Sequence, residues 1–320
     1  MPDAQERALP KINTCNSIAV LIPCYNEVGT IARVIGDFRQ ILPDATIYVY
    51  DNNSTDGTAA TAEAAGAIVR REARQGKGYV VRRMFADIEA DIYLLVDGDA
   101  TYEAAAAPKI IETMIAGPFD KVNGARIPAQ KSAFRAGHVL GNAMLTGLVA
   151  RIFGARSRDM LSGYKALSRR FVKTFPSISS GFEIETELLV HALELDIPMA
   201  EVDTIYYERP AGSVSKLSTF RDGFRILWLI LHLIRDLMPL QFFSGLACLL
   251  AILSIGLGIP VITEFLEIGS VPRLPTAVMA LGLMILAFLS LFAGLILDSV
   301  ARGRREMKLM AYLQFRSVVT

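Results

Sequence analysis

Two aspartates separated by a single glycine, Asp97-Gly98-Asp99, directly follow an apolar run at residues 92–96. Carboxylates held this close repel each other, and a cation between them relieves the repulsion. A site made of oxygen ligands favours Mg²⁺ or Mn²⁺, which is commonly shared with substrate phosphates. Many turns contain such a pair, so it is the position after a buried strand that favours a metal site.

Two further polar clusters follow apolar runs, at residues 25–27 and 51–56. The carboxyl ends of parallel strands meet at one edge of a sheet, where α/β proteins bind their ligands. We therefore expect the three clusters to converge on a single site. For Asn52, Asn53 and Ser54, an ordinary polar turn explains the residue types equally well.

Apolar runs alternate with helical patterns from residue 17 to about residue 125. This alternation predicts an α/β fold with a mostly parallel, Rossmann-like sheet and helices on both faces. The expected strands lie at 17–23, 46–51, 67–71 and 91–99, and the expected helices at 28–41, 58–65 and 103–116.

Charged residues from position 126 onward could serve a site that holds several phosphates, because arginine forks and lysines bind phosphate oxygens. Taken singly, each basic residue is more often a solvated surface charge. Three glutamates at the start of a predicted helix are ordinary partners of the helix dipole, or one of them touches a substrate. The basic residues are Arg126, Arg135, Lys165, Arg209 and Lys216, and the glutamates are Glu183, Glu185 and Glu187.

The last third of the chain is strongly apolar. Hydrophobic residues make up 52% of the 320 residues, and no charged side chain occurs at 237–263 or at 274–297. About 20 apolar residues are enough to cross a bilayer as a helix. Two membrane-spanning helices are therefore expected, with a buried core hairpin as the alternative.

Residues 218–236 form an amphipathic pattern with too short an uncharged core to span a bilayer. The pattern predicts a helix lying in the headgroup region, with arginines facing anionic lipid, or else a helix packed on a soluble domain. The apolar stripe consists of Phe220, Phe224, Leu227, Leu231 and Ile234, and the polar stripe of Arg221, Arg225, His232 and Arg235.

Charge and cysteine content bear on the partners and the compartment. The 33 basic and 32 acidic residues give no reason to expect a nucleic-acid partner. The first residues lack the apolar segment of a signal peptide. Four basic residues follow the second apolar run and one lies between the runs, which predicts an inner-membrane protein with both termini cytoplasmic. Cys15, Cys24 and Cys248 suggest neither disulfides nor zinc.

Seven stretches together resemble the family-2 glycosyltransferases with a GT-A fold, in particular their polyprenyl-phosphate branch, which is similar to dolichyl-phosphate mannose synthase. They occur in the family's order and cover the region before the apolar runs. The stretches are IPCYNE (22–27), DNNSTDGT (51–58), RQGKGYVVRR (74–83), VDGDATY (96–102), DMLSGYKALSRRF (159–171), GFEIETEL (181–188) and ERPAGSVSKL (208–217).

The resemblance implies roles for individual residues. Asp97 and Asp99 would be catalytic and would hold the metal, Asp51 would bind the base, and Lys77 would reach the ribose or phosphates. A loop that carries Arg209, Ser215 and Lys216 would close over the phosphates. The nucleotide-sugar would be bound by Pro23, Tyr25, Asn26, Glu27, Asp51, Asn53, Lys77, Asp97 and Gly98, and the phosphates and acceptor by Arg126, Arg135, Arg209, Ser215 and Lys216.

Two positions depart from the family pattern. Ala100 follows the aspartate pair where relatives often carry an acidic or polar residue, although the hydroxyl of Thr101 could replace it. Tyr79 stands where a smaller polar residue is common, which leaves the donor preference open.

The implied reaction is inverting transfer of a sugar from a UDP- or GDP-sugar to undecaprenyl or dolichyl phosphate, with Mg²⁺ or Mn²⁺. A sugar hydroxyl or another lipid is the alternative acceptor, and a non-catalytic scaffold that binds nucleotide-sugar is the alternative class. A processive synthase is disfavoured because Trp228 lacks a Q-x-x-R-W context, and no G-x-G-x-x-G supports an oxidoreductase. A homo-oligomer remains open.

The expected organisation has five parts. An N-terminal tail at 1–16 precedes a catalytic domain at 17–217. A juxtamembrane helix at 218–237 then leads to a transmembrane hairpin at 238–300 and a basic tail at 301–320.

Overall fold

The computed structural model describes residues 16–129, 147, 158–209 and 219–318. Three predicted site residues, Arg135, Ser215 and Lys216, lie outside these ranges. The described chain forms one mixed sheet, with helices on both faces, and two long apolar helices. The strands are β1 (Ile18–Cys24), β2 (Thr46–Asp51), β3 (Ile68–Arg71), β4 (Ile92–Leu95), β5 (Lys121–Pro128), β6 (Lys165–Ser168) and β7 (Met199–Tyr206).

The seven strands are ordered β3-β2-β1-β4-β6-β5-β7. The first four of these are parallel to one another, and β5 is parallel to β7. Strand β6 runs antiparallel to both β4 and β5. Strand β1 therefore has a parallel partner on each side, and the polar residues that follow β1, β2 and β4 lie at one edge of the sheet, as predicted.

Two clusters of buried side chains pack against the two faces of the sheet. One contains Ile31, Ile35 and Phe38 of the first helix, and the other contains Val81 and Met84 of the third. The helices of this part are α1 (Ile31–Ile41), α2 (Thr58–Ala64), α3 (Lys77–Asp87), α4 (Ala107–Ala116), α5 (Arg169–Thr174) and α6 (Ile184–Glu194). The predicted helices correspond to α1, α2 and α4, whereas α3 was not expected from the apolar pattern.

Three helices follow the sheet: α7 (Thr219–Leu237), α8 (Pro239–Ile268) and α9 (Leu274–Leu313). Helices α8 and α9 are long and apolar enough to cross a membrane, with mean hydropathies of 2.4 and 2.6 over their most apolar windows. Within the pair, the Ser254 hydroxyl donates to the Ala280 carbonyl at 2.7 Å, and the Ser290 hydroxyl donates to the Phe243 carbonyl at 3.0 Å. These bonds satisfy polar groups inside an apolar pair of helices.

The chain divides into two compact units, and the second consists of Trp228–Met307. The first ends at Leu227 and resumes at Lys308, so the predicted basic tail at 301–320 is shared between the two. Within the first unit, Tyr312 belongs to one buried cluster and Val318 to the other. The last turns of α9 and the residues after it thus complete the core around the sheet.

Candidate active site

A cleft of about 590 Å³ opens at the edge of the sheet where β1, β2 and β4 end. This volume falls within the range of ligand pockets. Its walls come from the ends of these strands, the start of α3, the loop at 180–182 and Arg209. Eight predicted site residues line it: Pro23, Tyr25, Glu27, Lys77, Asp97, Gly98, Asp99 and Arg209.

The aspartate pair follows β4, and each carboxylate contacts a cationic side chain. The Lys77 ammonium lies 2.6 Å from an oxygen of Asp97, and the Arg209 guanidinium lies 2.6 Å from an oxygen of Asp99. Asp99 also accepts hydrogen bonds from the Thr101 hydroxyl at 2.6 Å and the Thr101 amide at 3.2 Å. Burial and the neighbouring Asp97 raise the pKa of Asp99 despite the contact with Arg209.

A buried ion cluster supports Lys77 from behind. Its ammonium lies 2.8 Å from an oxygen of Glu185, whose other oxygen accepts a short bond from Lys165. Burial opposes the charge on Lys77, but the carboxylates of Asp97 and Glu185 outweigh it and raise its pKa. Burial likewise disfavours the Glu185 carboxylate, but Lys165 and Lys77 lower its pKa to about 2. Lys165, predicted as a phosphate ligand, is instead fully buried behind the cleft.

Asn26, Asp51 and Asn53 organise the cleft from outside its lining. Asp51 is buried and accepts the Ser54 amide at 3.2 Å, and Asn26 accepts the Thr55 amide at 2.8 Å. Asn53 donates to the Ala73 carbonyl at 2.8 Å. Asn26 and Asn53 have left-handed backbones, with φ of 51° and 65°, a conformation that asparagine tolerates better than most residues.

Arg126 lies apart from the cleft. Its guanidinium forms a two-pronged ion pair with Asp159, at 2.7 and 2.8 Å, and lies over the ring of Tyr206. A guanidinium in such a pair already has its preferred carboxylate partner. A role of Arg126 in phosphate binding stays a prediction, as do those of Arg135, Ser215 and Lys216.

Asn52 lines the cleft and was read from sequence only as a turn residue. Its amide donates to the carbonyls of Glu72 and Arg74, at 2.9 and 2.7 Å, and its oxygen accepts the Gly76 amide at 2.7 Å. These bonds join the end of β2 to the start of α3 and so place Lys77. Asn52 could have been identified from the sequence, because it directly follows the strand predicted to end at Asp51.

The loop around residues 178–182 forms one wall of the cleft. Glu187 fixes this loop, and two glycines of the facing segment allow it to come close. The Glu187 carboxylate accepts the amides of Ile178 and Ser179, at 2.9 and 3.0 Å. At Gly76 and at Gly78, an added Cβ would come within 2.1 Å of a carbonyl oxygen of the loop. Side chains at these two positions would therefore push the loop away from α3.

The aspartate pair is a small donor set for a divalent ion, and oxygens of a bound ligand would complete it. Within residues 16–129, 158–209 and 219–318, no three acidic, histidine or cysteine side chains form a cluster that could hold a metal. Asp97 and Asp99 would supply carboxylate oxygens, and both already attract cations in this structure. Mg²⁺ and Mn²⁺ are commonly held by one or two carboxylates together with substrate phosphates, so the donor set fits such an ion.

The sequence matches the family model described as glycosyl transferase family 2 over residues 19–175. Glycosyltransferase AglJ of Haloferax volcanii is 34% identical over 92% of this chain and 96% of its own length. A protein of the same organism named dolichyl-phosphate hexose transferase is 28% identical, over 66% of this chain and 90% of its own.

A solved structure has the same fold. Glucosyl-3-phosphoglycerate synthase from Mycobacterium tuberculosis, crystallised with Mn²⁺, UDP and glucosyl-3-phosphoglycerate, gives a TM-score of 0.56 at 24% identity. The match covers 68% of this chain and 80% of that one. The seven-stranded sheet with its cleft is thus the GT-A fold.

Proposed function

Because the chain belongs to glycosyl transferase family 2, we propose that it transfers a sugar from a nucleotide-sugar to a polyprenyl phosphate at a membrane surface. One observation carries the proposal. The chain that forms a cleft lined by Asp97, Asp99, Lys77 and Arg209 also carries two helices apolar enough to span a bilayer. The name of the dolichyl-phosphate hexose transferase relative supports the same class of acceptor.

The donor would lie across the strand ends, with its diphosphate next to the aspartate pair. Asp97 and Asp99 would hold Mg²⁺ or Mn²⁺, which offsets negative charge on a departing diphosphate. Lys77 and Arg209 add cationic contacts on the same wall of the cleft. The nucleoside would lie along 23–27, near the buried Asp51, which we propose as a base ligand.

The acceptor that suits this cleft needs no strong general base. A phosphate monoester has a second pKa of about 6, so it is mostly a dianion at neutral pH and is already a nucleophile. Glu185 is unsuited to act as a base, because two lysines stabilise its ionised form. Displacement at the anomeric carbon by the phosphate oxygen would invert the configuration and release the nucleoside diphosphate.

A polyprenyl acceptor requires an enzyme at the bilayer, since removing the chain from lipid costs about 0.8 kcal/mol per CH₂. Helix α7 exposes a row of apolar side chains immediately before α8, consisting of Phe224, Leu227, Trp228 and Leu231. We propose that this row lies in the headgroup region, with α8 and α9 spanning the membrane and the cleft on the cytoplasmic side. The Arg221 and Arg225 side chains lie outside the described residues.

The direct test is to incubate the purified full chain with polyprenyl phosphate and a panel of radiolabelled UDP- and GDP-sugars, with and without Mn²⁺. We expect label from one donor to move into the organic phase only when both the metal and the lipid phosphate are present. A dephosphorylated polyprenol is the matched control and should accept nothing. Transfer to the alcohol, or to a sugar, would instead favour the hydroxyl-acceptor alternative. Metal-dependent nucleotide binding without transfer to any acceptor would favour a scaffold.

Gly163 provides a test of the aspartate pair that changes no charge. An added Cβ at this position would come within 2.2 Å of an oxygen of Asp97. We expect Gly163→Ala to lower the transfer rate about 100-fold, because misplacing a reacting group by about 1 Å has effects of this size. The measurement is the initial rate of label transfer.

Gly36 in α1 is the matched control, since an added Cβ there meets nothing within 4 Å. Gly36→Ala should leave the rate unchanged and raise the unfolding temperature slightly, as alanine is the better helix former. Equal rates for Gly163→Ala and wild type would show that sugar transfer does not depend on the position of the Asp97 carboxylate.

A further inference from the structure

Each carboxylate of the aspartate pair already has one oxygen in contact with a cationic side chain. Lys77 contacts one oxygen of Asp97, and Arg209 contacts one oxygen of Asp99, each at 2.6 Å. All four residues line the same cleft. A divalent cation that binds these carboxylates must therefore compete with an ammonium and a guanidinium.

We propose that Lys77 and Arg209 are exchange partners of the aspartate pair. They hold its carboxylates until a divalent cation binds there, and they then contact the diphosphate of the nucleotide-sugar. This inference rests on the proposed function, because it assumes that a diphosphate enters the cleft with the metal.

The exchange is balanced in charge. Two monovalent side chains leave the carboxylates and one divalent ion replaces them, so the charge around Asp97 and Asp99 is unchanged. The diphosphate of a nucleotide-sugar brings two negative charges, which match the two released side chains. Guanidinium and ammonium groups bind phosphate oxygens as well as carboxylates, so neither loses a charged partner.

Glu185 makes the exchange possible at Lys77. A buried cation that loses its only anion is strongly destabilised. Lys77 has a second carboxylate 2.8 Å away in Glu185, and Glu185 in turn keeps Lys165. Lys77, Glu185 and Lys165 therefore each keep a partner of opposite charge when Asp97 binds a metal instead of Lys77. Glu185 is thus a positioning residue, which keeps the Lys77 ammonium charged at the wall of the cleft.

The exchange predicts two opposite effects of one substitution. Arg209→Gln removes a competitor of the metal and a ligand of the diphosphate. We expect it to bind Mn²⁺ alone about tenfold more tightly than wild type does, and Mn²⁺ with nucleoside diphosphate about tenfold more weakly. Loss of the free Mn²⁺ signal in electron paramagnetic resonance measures the first. Titration with UDP and with GDP at saturating Mn²⁺ measures the second. Both measurements use the full chain in detergent.

Two further variants accompany this test. Lys77→Met should show the same pair of opposite shifts, and it leaves Glu185 paired with Lys165. It therefore carries the test if Arg209→Gln fails to fold. Arg158→Gln is the control, because Arg158 is 64% exposed and pairs with Glu201 and Asp203. It should match wild type in both titrations.

The outcomes separate the inference from the function. Tighter Mn²⁺ binding together with weaker nucleotide binding, in either variant, supports the exchange. A wild type that binds Mn²⁺ with nucleotide, and variants that bind Mn²⁺ alone no more tightly than it does, would overturn the exchange and leave the function intact. A wild type that binds no Mn²⁺ even with nucleotide would overturn the metal-dependent function and the exchange with it.

Discussion

Asp99→Asn should lower the rate of sugar transfer by about 10³-fold, as expected when an electrostatic group aimed at a developing charge is lost. Asparagine has nearly the shape of aspartate, but it lacks the charge that would hold a divalent ion. The Asp99 side chain is 4% exposed, so solvent does little to compensate for the change. The rate is measured as label entering the organic phase.

Charge balance must be separated from metal binding in this experiment, since Asp99→Asn also deprives Arg209 of its carboxylate. The double variant Asp99→Asn with Arg209→Gln restores neutrality and should be equally inactive. Asp37→Asn is the control, because Asp37 faces Arg33 at 3.6 Å on the surface of α1. A folded Asp99→Asn variant with more than a tenth of the wild-type rate would refute a metal role for Asp99.

The second large effect concerns the end of α9. Tyr312 is 6% exposed, its hydroxyl donates to Asp120, and the Arg170 guanidinium lies 4.6 Å from its ring centre. We expect Tyr312→Ala to destabilise the catalytic domain by about 3–5 kcal/mol, as for other large aromatic side chains removed from a core. For a domain of this size, each kcal/mol shifts the unfolding temperature by about 2–4 °C.

Two substitutions at the same end of α9 separate packing from hydrogen bonding. Tyr312→Phe keeps the ring, and Asp120 retains the hydroxyl of Ser168 at 2.6 Å, so the expected loss is only about 1 kcal/mol. Leu313→Ala alters a residue that is 68% exposed and should have little effect in detergent. Equal unfolding temperatures for Tyr312→Ala and Leu313→Ala would mean that the end of α9 is not part of the core.

The sequence predicted the features that depend on local pattern. Apolar runs followed by polar residues located β1, β2 and β4, and the rule that parallel strands carry ligands at their carboxyl ends placed Asp97 and Asp99 in one cleft with Tyr25 and Glu27. Helix α3 was missed because its motif, RQGKGYVVRR, mixes glycines and arginines with few apolar residues.

The sequence did not predict contacts between distant residues. In the sequence, Lys165 and Glu185 taken singly each look like a surface charge. Only the fold brings them together with Lys77. Arg126 of β5 meets Asp159, which lies 33 residues further along the chain and before β6. The need for glycine at position 163 arises from Asp97, which is far away in sequence.

Tyr312 illustrates the same limit, since it follows a basic stretch that reads only as a signal for membrane orientation. Its partner Asp120 lies 192 residues earlier in the chain. Helix periodicity alone could not show that a side chain beyond the apolar run returns to the core.

The position of these core residues in the chain has a consequence for biogenesis. Residues 308–318 are translated only after α8 and the uncharged part of α9 at 274–297. Under the proposed membrane insertion of α8 and α9, the nascent catalytic domain would lack Tyr312 and Val318 while these helices enter the bilayer. Its core would then be completed only after insertion, and a polypeptide that ended within these helices would expose an incomplete domain to the cell's proteases.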